Sequence, residues 1–143
     1  MGIKVLVEYG VIGILIIMSI IAVAITIERY KFYKAVNIKD YKSIELLELD
    51  LTKRLYIIGT IGSNAPYVGL LGTVIGIMFT FYAMGSSGGT NVNEIMTGLA
   101  LALKATAAGL ITAIPAMVLY NFLHRRVNEL MLQKEAENEG KEL

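Results

Sequence analysis

The chain has 143 residues, 55% of them hydrophobic and 17% charged, with a mean hydropathy of +0.62, which is too apolar for an ordinary soluble domain and predicts a membrane protein. The absence of cysteine excludes disulfides, thiolate zinc sites and a cysteine nucleophile, and the single histidine excludes a histidine-cluster metal site. A formal charge of +1, from 13 basic and 12 acidic residues, gives no case for nucleic-acid binding.

Three stretches are apolar enough to span a bilayer. Residues 9–27 form 19 positions without a charge, 55–83 form 29, and 95–123 form 29 with Lys104 as their one charge. Each reaches the roughly 20 residues that a membrane helix needs. The remaining pieces, of 8, 27, 11 and 20 residues, hold no second folded unit, so a single domain over 1–143 is expected. The first stretch also contains Ala22-Val23-Ala24, a small-x-small pattern found before signal-peptide cleavage points. Its run is long for such a peptide and continues into a basic flank, so a retained helix is expected.

Orientation follows from the basic residues. Seven lie between Arg29 and Arg54, four follow Leu123, one (Lys4) precedes the first stretch, and none lies in 84–94. This predicts an outside N-terminus, a cytoplasmic loop over 28–54 and a cytoplasmic tail over 124–143. Tyrosines near the span ends, among them Tyr9, Tyr30, Tyr56, Tyr82 and Tyr120, suit the headgroup layer.

The second and third stretches exceed the bilayer by about nine residues, or roughly 13 Å of helix. Ile44, Leu47, Leu51, Leu55 and Ile58 recur at helical spacing, which predicts that span two begins as a cytoplasmic amphipathic helix over 42–58. Leu119, Leu123, Val127, Leu130 and Lys134 predict a matching extension after span three. Gly85-Ser86-Ser87-Gly88-Gly89-Thr90 reads as the turn between them.

Both long stretches carry a stripe of small or polar residues spaced four, three, four, three, four. In span two these are Gly62, Pro66, Gly69, Thr73, Gly76 and Thr80; in span three they are Gly98, Ala102, Ala105, Gly109, Thr112 and Ala116. Lipid gives helices no hydrophobic reason to associate, so such seams let backbones approach closely. One reading packs the two spans within a subunit; the other makes a ring whose second and third spans line a central space, with Thr73, Thr80, Thr106, Gly69, Gly76, Ala102 and Gly109 facing it. Pro66 and Pro115 shape the two helices.

No Asp, Glu or His lies in the three stretches. Proton relays through membranes rest on such groups, so a proton path here needs a carboxylate from another chain. Lys104, ten residues or about 15 Å inside Glu94, either snorkels outward, loses its proton, or pairs, with an acidic partner group or a neighbouring subunit as the expected contact. His124 beside Arg125 and Arg126 reads as an interfacial anchor. No nucleophile–base pair or metal-ligand spacing is present, so neither enzymatic chemistry, nor a metal, nor a cofactor is expected.

The run Ala65-Pro66-Tyr67-Val68-Gly69-Leu70-Leu71-Gly72-Thr73-Val74-Ile75-Gly76-Ile77-Met78 resembles the second-span signature of the MotA/TolQ/ExbB proton-channel family. Span three is similar in Ala105-Thr106, Gly109-Leu110, Ala113-Ile114-Pro115-Ala116 and Tyr120-Asn121, and Glu28-Arg29 after span one also fits. The resemblance implies a homopentamer of the bacterial inner membrane whose second and third helices surround a single-span partner, ExbD or TolR. In such complexes the partner's membrane Asp carries the proton, and Thr73 and Thr106 match the family threonines near it. The implied role is ExbB-like: proton motive force energises TonB-dependent transport through the outer membrane, with a TonB-like protein as a further partner. The alternatives are a TolQ-like role in the Tol-Pal envelope system and a passive membrane scaffold. Three spans and a short loop set the chain apart from MotA. One departure stands out: Leu101 occupies the place where the family commonly has Glu, and Lys104 lies one turn further on.

Overall fold

A computed structural model describes residues 2–88 and 91–142, so Gly89 and Thr90 of the expected turn lie outside the described residues. The described residues form four α-helices, α1 (Gly2–Ala35), α2 (Ile44–Leu51), α3 (Leu55–Ser87) and α4 (Val92–Glu142), with a 3-10 turn at Ile38–Asp40. Helices α1, α3 and α4 are each long and apolar enough to cross a membrane, and they contain the three predicted stretches.

The helix ends follow local chemistry. Asn37 caps the 3-10 turn by accepting the Lys39 N–H at 3.0 Å, and Ser43 caps α2 by accepting the Leu46 N–H at 3.3 Å. Asn91 does the same for α4, accepting the Asn93 N–H at 3.0 Å. On the other side of the same turn, α3 stops at Gly88, whose φ of 65° is the left-handed conformation that glycine takes without a Cβ penalty. Pro66 and Pro115 sit inside α3 and α4, each removing one helix N–H donor, which membrane helices tolerate when neighbours compensate.

The amphipathic pattern over 42–58 folds differently from the expected continuous helix. The chain leaves helical geometry at Thr52–Arg54, and Arg54 takes φ 65°, uncommon for a residue with a Cβ. The break turns α2 back against the bundle, so that Leu47, Leu51, Leu55 and Ile58 still share one buried cluster. The apolar spacing was informative about burial and silent about the bend. The predicted extension of span three is present: α4 runs unbroken past residue 123, burying Leu123, Val127 and Leu130 against the same cluster.

Helices α3 and α4 form an antiparallel hairpin, and α1 lies across both. Gly69 meets Gly109, Gly76 meets Ala102, Gly62 meets Met117 and Gly59 meets Tyr120, so the register is constant along the seam. Val11 touches the Gly72 level and Lys4 the Gly98 level, which puts Tyr9, the start of the first apolar stretch, near residues 75 and 103. The extra length of the two long stretches therefore rises at the hairpin end, about eight residues or 12 Å beyond Tyr9, beside the charged first turns of α1.

Candidate functional site

The α3–α4 seam is built from the two predicted stripes turned toward each other. Ala102, Ala105, Ala113 and Ala116 are buried, and a Cβ added at Gly69 would lie 2.5 Å from the Ala105 carbonyl oxygen. Gly69, Gly76, Ala102 and Gly109 therefore act inside one chain as spacers that bring the two backbones together.

Polar groups sit along this seam. The Thr73 hydroxyl donates to the Ala102 carbonyl at 2.7 Å and lies 2.5 Å from the Thr106 hydroxyl. Thr73 is buried; Thr106 is half-buried, at the margin of the seam. The two predicted threonines, 33 residues apart in sequence, are thus one hydroxyl pair. Thr80 is also buried; its hydroxyl donates to the Gly76 carbonyl at 2.9 Å and accepts from the Lys4 ammonium at 3.3 Å. Thr112 bonds its own helix at the Ala108 carbonyl, 3.0 Å away, as membrane threonines often do. Of the helix-shaping prolines, Pro66 is half-buried beside the seam and Pro115 is exposed.

Lys104 points away from the seam, as helical geometry predicts, and is 61% exposed, yet its ammonium lies 3.8 Å from the Glu8 carboxylate. Within the chain, α1 thus brings a carboxylate to Lys104 that the sequence spacing did not single out. Glu8 was passed over because it precedes the first uncharged stretch by one residue; the signal that finds it is the parallel α1–α4 register, which sequence spacing alone does not give. A small cavity beside the pair is lined by Lys4, Glu8, Gly72, Gly76, Phe79 and Ala102.

At the opposite end lies a second group that residue patterns did not reveal. Arg29 is buried, donating to the Asp50 carbonyl at 2.7 Å and to Glu28 at 2.8 Å, with its guanidinium 4.6 Å from the centre of the Phe32 ring. Tyr33 donates to the Leu51 carbonyl at 2.5 Å. A cation and a phenol thus meet the last carbonyls of α2, where the helix dipole favours positive charge. Glu28 also bridges to Arg54 at 3.2 Å, holding the residue with the left-handed backbone. Tyr41 donates to Asp50 at 2.7 Å, and that bond to a carboxylate pushes its phenol above the ordinary value. His124 stacks on Tyr120 with ring centres 5.7 Å apart.

Long apolar helices, a close-packed small-residue hairpin and a basic collar at one end define a multi-pass helical membrane protein whose third and fourth helices act as one unit. Residues 24–136 match the MotA/TolQ/ExbB proton channel family, and the chain belongs to it. It is 58% identical over 134 residues to the biopolymer transport protein ExbB of Aquifex aeolicus, covering 94% of this chain and 90% of that one. It is 53% identical over 124 residues to an ExbB of Helicobacter pylori strain J99, covering 87% and 86%. Against the Tol-Pal system protein TolQ of Haemophilus influenzae it is 41% identical over 97 residues, covering 68% and 41%.

Proposed function

We propose that the chain is an ExbB-like subunit of a proton-driven complex in the bacterial inner membrane, with its N-terminus outside and its basic end cytoplasmic. It assembles as a homo-oligomeric ring, a pentamer by the family resemblance, around an ExbD-like single-span partner, and passes the energy of the proton gradient to a TonB-like protein for transport across the outer membrane. Its part is to bind, orient and conduct, with no chemical conversion of a substrate.

The observation that carries the proton role is the Thr73–Thr106 hydroxyl pair, held between two helices whose apolar stretches contain no carboxylate. Paired hydroxyls order water and accept or donate hydrogen bonds, but they do not store a proton near neutral pH. An acid must therefore come from the guest helix, and Thr106, at the seam margin, is the hydroxyl placed to meet it. Gly69, Gly76, Ala102 and Gly109 keep the hairpin rigid behind that pair, and Thr80 ties it to Lys4. Nearly full-length similarity to ExbB proteins, against a shorter match to TolQ, favours the TonB-linked role over the Tol-Pal role.

The test is deletion of the gene, followed by parallel assays of TonB-dependent uptake of an iron–siderophore and of leakage of a periplasmic marker. Lost uptake with an intact envelope, restored by the wild-type gene, is the expected result. Leakage with normal uptake moves the assignment to the Tol-Pal role.

A further inference from the structure

Helices α1 and α4 run side by side in the same direction: Glu8 meets Lys104 near one end, and further along the Ser19 and Thr112 hydroxyls lie 3.5 Å apart. On the second register, residue 27 is level with residue 120. The uncharged run of α1 ends at Ile27 and that of α4 at Leu123, so both helices change from apolar to basic within about one turn of the same level. Beyond it α1 bears Lys31 and Lys34, and α4 bears Arg125 and Arg126. Two adjoining helices that exchange hydrocarbon side chains for cations at one level mark the edge of the hydrocarbon layer.

An open groove of about 470 Å³ lies between α1 and α4 at that level. Ile27, Leu119 and Phe122 line its apolar part, and Tyr30, Lys31 and Lys34 line its basic part. Ile27 and Phe122 are half exposed, with no side chain covering them. Lys31 and Lys34 are exposed and pair with no carboxylate among the described residues; the Lys34 ammonium stands 4.5 Å from the centre of the Tyr30 ring. The arginines of α4 differ, because Glu129 holds Arg125 at 3.3 Å and Arg126 at 3.1 Å.

The groove fits an occupant that is apolar toward the middle of the bundle and negative at the basic end. A protein helix laid there would have to bring acidic groups to both lysines, whereas a phospholipid carries phosphate and hydrocarbon in that order along its length. Basic pockets between membrane helices bind anionic headgroups, and tyrosine favours the headgroup layer. We infer that this groove binds one anionic phospholipid of the leaflet at the basic end, its phosphate on Lys31 and Lys34 and an acyl chain along Ile27, Leu119 and Phe122. Bound there, the lipid joins α1 to α4 where their own side chains leave a gap. The inference needs only a membrane-spanning chain; the proton role does not enter it.

The chain has no tryptophan, so a single one reports its own surroundings. The full chain carrying Phe122→Trp is reconstituted in vesicles of equal parts phosphatidylglycerol and phosphatidylcholine, with quenching bromine on the chains of one lipid or of the other. Ile111→Trp, at an α4 position that is 73% exposed and outside the groove, reports the ordinary lipid shell. Phe122→Trp is expected to show a several-fold preference for phosphatidylglycerol, and Ile111→Trp none. Adding Lys31→Gln and Lys34→Gln is expected to abolish the preference, and adding Lys31→Arg and Lys34→Arg to keep it. Circular dichroism reads the helicity of each variant, and Tyr30→Trp repeats the measurement from the basic part of the groove. Equal quenching by the two lipids at Phe122→Trp would overturn the site and leave an ordinary lipid shell. Quenching by neither would assign the groove to a neighbouring copy or a partner helix, and a preference that survives the glutamine pair would overturn the role of the lysines.

Discussion

Gly69 and Gly109 face each other across the α3–α4 seam with no room for a methyl group: a Cβ on either would lie 3.0 Å from the Cα of the other. Each would also press on a backbone carbonyl, Ala105 at 2.5 Å or Ala65 at 2.7 Å, and neither can swing aside. Gly69→Ala and Gly109→Ala are therefore expected to destabilise the hairpin by about 1–3 kcal/mol each, the usual range for overpacking. Thermal unfolding in detergent checks this against Gly13→Ala, where nothing lies within 4 Å. Unchanged midpoints in the seam variants would show that the helices are not this close.

The hydroxyl pair separates conduction from packing. Thr73→Val keeps the shape while removing the bonds to Ala102 and Thr106, and Thr106→Val removes only the second. A loss of about 1 kcal/mol per bond leaves the complex assembled. Uptake is nevertheless expected to collapse in both, with Thr73→Ser retaining activity; normal uptake in the valine variants would support a passive scaffold.

Glu8 and Lys104 make a different prediction. Each single change, Glu8→Leu or Lys104→Leu, leaves the other charge beside apolar helices, whereas Glu8→Lys combined with Lys104→Glu restores opposite signs at the two positions now 3.8 Å apart charge to charge. Because Lys104 is largely exposed, the pair is worth at most about 1 kcal/mol, and the effect is on the docking of α1. Protein levels in the membrane are expected to fall modestly in the single variants and to recover in the swap. No recovery in the swap would show that the two charges do not pair.

At the basic end, Tyr33→Phe deletes the bond to the Leu51 carbonyl, and Arg29→Ala deletes the bond to Asp50 together with the contact on Phe32. Costs of about 1–3 kcal/mol for the first, and more for the second, are expected, because each strands a carbonyl at the end of α2. Limited proteolysis near Thr52–Arg54 reports the loosening of α2; equal resistance in both variants would contradict the capping role.

Much of this was legible in the sequence, and the rest was not for identifiable reasons. Charge-free runs place three helices because lipid leaves backbone polar groups no partner outside a helix. The stripes around Gly69 and Gly109 announce a seam, but periodicity does not say whether that seam closes on its own chain or on a neighbour. Leu47, Leu51, Leu55 and Ile58 are equally periodic in one straight helix and in two joined at Arg54, since burial alone sets their spacing. Glu8 and Arg29 find partners through helix register and chain reversal, properties of tertiary contact that no local pattern encodes.

The central claim is that this chain supplies ordered hydroxyls and no proton-carrying acid of its own. Proton flux into liposomes under an imposed potential tests it most directly, comparing the chain alone, the chain with its single-span partner, and the pair with the partner's membrane Asp changed to Asn. Flux is expected only with the unmodified pair and is expected to fall with Thr106→Val. Steady flux through the chain alone would contradict the account.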